Sequence, residues 1–194
     1  MIEIKGLTTV YGPGASGKTT LCLMKANEES YKNKVVYLDT ENGFNLDRLN
    51  QMNNNIDKNL DNIIRLKADN FKDQQEKIKM LFNLVKDSKA SLLIVDSIGI
   101  HYRKLVRNHS SLANSMLISQ VRILKDISKY IPVLVTNQVY SDMNDGVRML
   151  GGKILEGSDM LIELIKANKR KCVIWKPIKE EFYFDIDDKG LRRI

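Results

Sequence analysis

The chain has 194 residues, of which 43% are hydrophobic and 28% charged, a composition typical of one soluble globular domain over residues 1–194. Its 31 basic and 24 acidic residues give a formal net charge of +7, which suits a polyanionic partner without requiring one. The two cysteines exclude a disulfide framework, and the absence of a long apolar run argues against secretion or a membrane span, so we expect a cytoplasmic protein.

Short strand-like segments alternate with longer helical ones up to about residue 160. Strands are predicted at "LTTVYG", "KVVYLDT", "NIIRLKA", "SLLIVDS" and "IPVLVTNQ". Helices are predicted over residues 18–31, 45–52, 69–88 and 111–130, the third beginning at Asp69 or Asn70. This alternation predicts an α/β fold with a mostly parallel sheet flanked by helices.

The pattern changes after residue 160. Three strand-like segments, "MLIELIKA", "KCVIWKPI" and "EFYFDID", follow one another with short turns between them. Such a succession is typical of an antiparallel meander. We therefore predict a C-terminal antiparallel β extension at the edge of the same sheet.

The segment "GPGASGKTT" matches the phosphate-binding pattern G-x-x-x-x-G-K-[ST] and lies between a predicted strand and a predicted helix. Its glycines let backbone N–H groups surround a phosphate chain, and the helix adds its positive amino-terminal end. Lys18 can reach the β- and γ-phosphates, and the Thr19 hydroxyl can bind Mg²⁺. The residues predicted to bind the nucleotide here are Gly12, Gly14, Ser16, Gly17, Lys18, Thr19 and Thr20.

Polar side chains end three of the other predicted strands. Asp96 ends "LLIVD", where a carboxylate can hold the water shell of a metal ion. Asp39 and Glu41 follow "VVYL", and either could deprotonate a water that attacks the γ-phosphate. If the "VLVTNQ" strand lies beside the Asp96 strand, Gln138 can contact the γ-phosphate or position that water. Residues 139–153 are predicted to form a flexible loop whose order depends on this contact.

The motifs "GPGASGKTT", "YLDTENG", "LLIVDS" and "VTNQV" occur in one order and, with "GGKILEGS", resemble the RecA-type recombinases of the archaeal and eukaryotic branch. The resemblance covers roughly residues 5–190 and implies a RecA-like P-loop NTPase core that binds ATP and Mg²⁺. The small archaeal RadB-type paralogues fit best. Only eleven residues precede the phosphate loop, so we expect no amino-terminal helix-hairpin-helix domain.

The resemblance also implies roles for individual residues. Glu41 matches the catalytic carboxylate, which would act together with Lys18 and Gln138. Asp96 matches the acid that holds the metal with Thr19, and Gln138 matches the γ-phosphate sensor. Arg48 lies where the family places a residue that stacks on adenine, a contact that suits a planar guanidinium.

Residues 98–110, "IGIHYRKLVRNHS", lie where the family has its first DNA-binding loop. The segment has basic side chains, the ring of Tyr102 and no acid, and a single-strand groove uses cations beside an aromatic ring. Taken by itself, the same pattern also fits a solvated basic loop or the start of a helix, with both histidines at the surface. The residues predicted to bind DNA, here and in the second loop, are Arg103, Lys104, Arg107, Arg148 and Lys153.

One departure from the family is Gly157, which stands where active strand-exchange recombinases have a histidine. With the expected lack of the amino-terminal domain, it argues against autonomous filament formation. The resemblance therefore implies an accessory protein of homologous recombination and DNA repair with weak or absent DNA-linked ATP hydrolysis. Its implied partners are single-stranded or branched DNA, the main archaeal recombinase or a junction nuclease, and further copies of the chain.

Two other functions share the ATP motifs. A KaiC-like regulatory ATPase of the RecA fold would act on protein partners and would need no DNA. Its partner binding would survive alanine at Arg103, Lys104 and Arg107. A small-molecule P-loop kinase is disfavoured, because we find no arginine-rich lid segment and "VTNQV" has no role in such an enzyme.

Overall fold

The computed structural model describes residues 2–53, 57–142 and 146–194, in which strands and helices alternate before a final group of strands. The strands are β1 (Leu7–Gly12), β2 (Lys34–Asp39), β3 (Ile63–Lys67), β4 (Ala90–Asp96), β5 (Val133–Asp142), β6 (Gly146–Met149), β7 (Met160–Ile165), β8 (Arg170–Lys176), β9 (Glu180–Asp187) and β10 (Gly190–Arg193). The helices are α1 (Lys18–Ser30), α2 (Leu46–Met52), α3 (Asp57–Leu60), α4 (Phe71–Ser88), α5 (Gly99–Val106), α6 (Ser110–Ile127) and α7 (Gly152–Leu155).

Within the described ranges, one sheet has the strand order β10-β9-β8-β7-β1-β5-β4-β2-β3, and β6 pairs with β5 beside it. The strands from β7 to β3 in this order run parallel to their neighbours. The last three strands along the chain are antiparallel. The predicted parallel sheet with a C-terminal antiparallel extension is thus confirmed, although β7 itself pairs parallel to β1 and not only with the meander.

Apolar side chains from alternate strand positions are buried on both faces of the sheet. In β2, Val36 and Leu38 pack on the face covered by α4 and α6, whereas Val35 and Tyr37 pack on the face covered by α1. Because central parallel strands are covered on both sides, they are apolar throughout. In the described ranges, no helix has both the length and the apolarity that crossing a bilayer demands.

The local sequence sets the ends of α4. Of the two predicted caps, Asn70 is the one used, since its side chain accepts a hydrogen bond of 3.0 Å from the backbone N–H of Asp73. The helix ends at Ser88, and the next residue, Lys89, caps it in a left-handed conformation with φ 55°. Between these residues, Phe71 and Ile78 are among the side chains that bury the apolar stripe of the helix.

Both predicted DNA loops contain regular secondary structure. Most of the segment 98–110 is helix α5, and α6 follows it from Ser110. Strand β5 does not end at Gln138 but continues to Asp142 and pairs with β6 in a hairpin, so the prediction of a flexible loop over residues 139–153 is wrong in the described part. Residues 143–145 of that loop lie outside the described ranges.

Candidate nucleotide and nucleic-acid site

The strand order brings the predicted motifs to one edge of the sheet. Strand β5 lies between β1 and β4, which confirms the predicted neighbour of the Asp96 strand. Gly12 at the end of β1 is in register with Gln138, and Asp39 is in register with Asp96. The carboxyl ends of parallel strands are where such folds bind ligands, so the phosphate loop, both acids and the amide share this edge.

The phosphate loop encloses a cavity whose shape depends on its glycines. Gly17 has φ 107°, a left-handed conformation that a side chain would strain. A Cβ at Gly12 would lie 2.3 Å from the carbonyl oxygen of Leu164, so no larger residue fits there. The cavity has a volume of about 540 Å³ and is lined by Gly12, Gly14, Ala15, Ser16, Gly17, Lys18, Thr19, Thr20, Glu41, Asp96, Arg103, Gln138, Val139 and Ile186.

Two polar groups of the loop suit an anion. The Lys18 ammonium donates to the carbonyl oxygens of Gly12 and Pro13 at 2.9 and 2.8 Å. Burial lowers the pKa of Lys18, against the opposing effect of the Glu41 and Asp96 charges. The Ser16 hydroxyl is buried and has no hydrogen-bond partner among the described residues. A half-buried cation and a buried hydroxyl that has no partner among the described residues fit a phosphate group.

Asp96 and Thr19, the two predicted metal ligands, are in contact. The Asp96 carboxylate is buried and accepts hydrogen bonds from the hydroxyls of Tyr37 at 3.0 Å, Thr136 and Thr19. Burial raises the pKa of Asp96, and the charge of Glu41 adds to this effect, whereas the three hydroxyls oppose it. Carboxylate and hydroxyl oxygens are the ligands that Mg²⁺ prefers, and a bound cation would favour the charged form of Asp96.

The geometry separates the two candidate carboxylates after β2. Asp39 is buried, forms a 2.7 Å ion pair with Arg65 and accepts the backbone N–H of Gly43 at 3.0 Å. It therefore shapes the turn and does not line the cavity. Glu41 is exposed and lines the cavity, where its Oε1 accepts a hydrogen bond of 3.0 Å from Gln138 Nε2. The contacts thus favour Glu41 over Asp39 as the carboxylate near the reacting groups.

The two adjacent amides in β5 point to different neighbours, as successive strand residues do. Asn137 is buried, and its Nδ2 donates to the carbonyl oxygen of Leu150 at 2.6 Å. The Leu150 N–H in turn donates to the carbonyl oxygen of Gln138 at 3.0 Å. A Cβ at Gly99 would lie 2.2 Å from Asn137 Oδ1, so this glycine makes room for the amide. Asn137 therefore ties the segment after the hairpin to β5, while Gln138 faces the cavity.

Arg103 lies at the cavity of the phosphate loop. Its guanidinium Nη1 is 3.4 Å from Gln138 Oε1, while the other end of the same amide donates to Glu41. From the sequence, Arg103 is predicted to bind DNA together with Lys104 and Arg107, because a loop would expose all three side chains to the same strand. Helix α5 turns Lys104 about 100° away from Arg103, and Arg107 lies about one turn further along, past the last residue of the helix. Of these three side chains, only Arg103 lines the cavity.

Tyr102 and His101 are buried, so the prediction of a ring available for a base and that of a surface histidine are wrong. The Tyr102 hydroxyl donates to Asn114 Oδ1 at 2.8 Å, and its ring lies edge-on to Phe71 at 6.2 Å. His101 Nε2 lies 2.9 Å from the carbonyl oxygen of Ala68. Lys104 and Arg107 remain exposed on the outside of this segment.

Arg48, on α2, lies beside the cavity rather than within its lining. Its Nη2 donates to the carbonyl oxygen of Asp187 at 2.5 Å and its Nη1 to Gln51 Oε1 at 2.8 Å. Asp187 ends β9 next to Ile186, which lines the cavity. The guanidinium is thus held near the mouth of the site, and its stacking on adenine stays a prediction.

Arg148 and Lys153 lie apart from the phosphate loop. Arg148 is exposed on β6, and Lys153 is exposed at the start of α7. Both line a second cavity of about 530 Å³ at the same edge of the sheet. Apart from Arg103, the cationic residues predicted to bind DNA therefore lie in two places. Lys104 and Arg107 are at the carboxyl-terminal end of α5, and Arg148 and Lys153 are near the hairpin.

A phosphate loop between a central parallel strand and a helix, with an acid after β4 and an amide in β5, defines a RecA-like P-loop NTPase. The chain belongs to the Rad51 family, whose sequence pattern matches residues 1–190.

Relatives in the archaea cover nearly the whole chain. The DNA repair and recombination protein RadB of Methanocaldococcus jannaschii is 33% identical over 97% of this chain and 93% of its own length. The proteins of the same name from Pyrococcus furiosus and Thermococcus sibiricus are 35% and 36% identical, over 95% and 97% of this chain and 85% and 86% of their own lengths. The chain is thus similar to RadB-type proteins, as its motifs predicted.

Proposed function

We propose that this protein is an ATP-responsive, DNA-binding accessory protein of homologous recombination and DNA repair. The observation that carries the proposal is the position of Gln138, whose amide contacts Glu41 and Arg103 at the nucleotide cavity. Gln138 belongs to the strand that continues into the hairpin with Arg148. Membership of the Rad51 family supports this function over that of a KaiC-like regulatory ATPase.

Nucleotide binding uses the loop residues that suit an anion. Lys18 exchanges its two carbonyl contacts for phosphate oxygens, since a hydrogen bond between two charged groups is stronger than one to a neutral carbonyl. The Ser16 hydroxyl and the amino-terminal end of α1 add further donors. Thr19 and Asp96 would hold Mg²⁺, which supplies neutralisation of the phosphate charge.

Slow hydrolysis follows from the surroundings of Glu41. This carboxylate is the base that accepts a proton from the attacking water. Its Oε1 already accepts a hydrogen bond from Ser97 Oγ, so this hydroxyl competes with the attacking water for the carboxylate. The protein therefore holds ATP for longer than an efficient ATPase would, as suits a factor that responds to bound nucleotide.

Coupling to DNA runs through Gln138. When its amide turns from Glu41 to a terminal phosphate, the change reaches the hairpin through two contacts with Leu150. One is the backbone hydrogen bond from Leu150 N–H to the Gln138 carbonyl, and the other is the bond from the Asn137 amide to the Leu150 carbonyl. A diphosphate lacks the group that the amide would contact. The affinity for DNA is therefore higher with ATP than with ADP.

Arg103 serves the nucleotide rather than DNA. Replacing it by alanine is expected to weaken ATP binding on the order of tenfold, the size of one lost charge-assisted hydrogen bond, with ADP binding changed far less. Lys104→Ala is the matched control, since Lys104 is the next residue on α5 and does not line the cavity. Isothermal titration of both variants measures the effect. Equal loss for ATP and ADP, or no loss, would return Arg103 to the DNA-binding set.

DNA binding is tested by fluorescence anisotropy with a labelled single-stranded oligonucleotide. If Lys104, Arg107, Arg148 and Lys153 each contact one phosphate, the log–log salt slope is about −2.8, which weakens binding about 50-fold between 50 and 200 mM salt. Each single alanine variant reduces that slope by about 0.7. No binding at low salt, with and without ATP, would remove the DNA function and leave a regulator of protein partners.

The proposed protein partners are the main recombinase or a junction nuclease of the same cell, together with further copies of the chain. The shared family with strand-exchange proteins supports this choice. A pull-down from native extract, with and without ATP, identifies them directly. Recovery of neither class of partner would contradict the proposed partners.

A further inference from the structure

The second cavity, of about 530 Å³, lies on the face of the sheet opposite to α1. Tyr11, Met149 and Leu161 from its lining belong to the core cluster under α4 and α6, whereas α1 packs on the other face. Only Tyr11 separates this cavity from the phosphate loop along β1, since Gly12 follows it directly. The cavity is therefore next to the nucleotide site without being part of it.

Two tyrosines provide aromatic surface in this cavity. Tyr140 is 38% exposed, lies two residues beyond Gln138 on β5 and is paired with Arg148 across the hairpin. Tyr11 is half-buried, and its hydroxyl donates to Glu163 Oε2 at 3.4 Å. Burial and the charge of Glu163 raise the pKa of Tyr11, so its phenol stays protonated. The ring of Tyr140 is therefore accessible to a ligand, whereas the ring of Tyr11 is held in place at the side of the cavity.

The charges of the lining are mixed. Arg148 and Lys153 bring two cations, while Glu156 and Glu163 bring two carboxylates. An anion placed inside the cavity would meet both carboxylates, which disfavours it there, whereas a phosphate outside the cavity can contact the two cations alone. Glu163 is held by the Tyr11 hydroxyl and by Trp175 Nε1 at 2.9 Å, whereas Glu156 is exposed at the rim. The lining thus suits a flat, uncharged group that carries hydrogen-bond donors. A negatively charged group attached to it would lie outside the cavity, next to the two cations.

We propose that this cavity takes one nucleobase of a bound single strand, stacked on the ring of Tyr140. An exocyclic amino group of the base donates to Glu156, and the flanking phosphate contacts Arg148 and Lys153. Bases with such an amino group, such as cytosine, are preferred over thymine because thymine offers no amino donor. The inference rests on the proposed binding of DNA and names the part of the strand that this surface reads.

The test compares oligonucleotides that have bases with an abasic oligonucleotide of the same length. Tyr140→Ala is expected to weaken binding of oligo-dC on the order of tenfold, the size of one lost stack, without changing abasic binding. Tyr140→Phe keeps the ring and should restore most of the affinity. Tyr130→Ala is the matched control, since Tyr130 is 74% exposed, lies outside the cavity and should give unchanged binding.

A second variant tests the proposed hydrogen bond between Glu156 and the amino group of the base. Glu156→Gln removes the charge at the rim and is expected to abolish the preference for oligo-dC over oligo-dT, while the abasic strand binds as before. A 2-aminopurine at one position of the strand should be quenched by the wild type and by Tyr140→Phe, but not by Tyr140→Ala.

The outcomes separate the inference from the function on which it rests. Binding of the abasic strand as tight as that of oligo-dC, or equal affinities for Tyr140→Ala and the wild type, would overturn the base cavity and leave DNA binding intact. Absence of all binding to single strands would overturn the proposed function and this inference with it.

Discussion

Lys18→Ala is expected to reduce the affinity for ATP about 100-fold or more, because it removes the half-buried cation proposed to contact the phosphate chain. The ammonium donates to the Gly12 and Pro13 carbonyl oxygens in the phosphate loop. No other lysine of the described residues lines the cavity, so none can replace it. Isothermal titration with ATP and Mg²⁺ measures the loss. Lys32→Ala, an exposed lysine just beyond α1, is the control that should bind ATP normally.

The same variant should fold well in the absence of nucleotide. Burial lowers the pKa of Lys18, which means that the surroundings disfavour its charge. Removing the ammonium therefore costs little stability, and thermal unfolding of the nucleotide-free protein should change by only a few degrees. ATP affinity in Lys18→Ala equal to that of the wild type would contradict the phosphate-loop assignment.

Glu41→Gln is expected to abolish any ATP hydrolysis, with a loss of about 100-fold or more, while ATP affinity stays roughly unchanged. The amide keeps the shape of the carboxylate but cannot accept a proton from water. Since Glu41 is exposed and contacts Gln138 and Ser97 rather than the phosphate loop, its loss should not disturb binding. Phosphate release under saturating ATP and a parallel binding titration measure the two quantities.

Asp39→Asn is the control for this experiment. The buried Asp39 carboxylate pairs with the partly exposed Arg65 and holds the turn after β2, so its replacement should destabilise the fold instead of acting on catalysis directly. We expect a lower unfolding temperature with hydrolysis that persists in the folded fraction. If Glu41→Gln hydrolyses ATP at the wild-type rate, the base lies elsewhere.

The features that the sequence predicted well are local ones. The apolar run before Asp96, the glycines from Gly12 to Gly17 and the capping side chain of Asn70 each determine their own structure within a few residues. Parallel strands then bring their carboxyl ends together without further information. The phosphate loop, the neighbouring β4 and β5 strands and the antiparallel extension were all predictable for this reason.

The features that the sequence hid depend on distant contacts. Nothing local shows that Asn137 binds Leu150, or that β5 continues into a hairpin, because the partners lie across a turn. The buried Tyr102 was taken for a surface ring because it stands among cations, yet its place is set by packing on Phe71. Likewise, the sequence did not show that Arg103 lines the phosphate-loop cavity, because that position depends on how α5 packs against the sheet.

The adjacent amides at the end of the VLVT strand illustrate both cases. A polar pair after an apolar strand indicates a site, and this much the sequence supports. Asn137 and Gln138 lie on opposite sides of the strand. For this reason Asn137 anchors the following segment, whereas Gln138 faces Glu41. The pair thereby joins the nucleotide cavity to the hairpin.

The central claim is that the Gln138 amide reads the terminal phosphate. A crystal structure with Mg²⁺ and a non-hydrolysable ATP analogue measures the distance from this amide to the terminal phosphate oxygens. We expect about 3 Å, with the contact to Glu41 broken. An amide that stays 3.0 Å from Glu41 Oε1, away from the phosphate, would contradict the claim and remove the link between nucleotide and DNA.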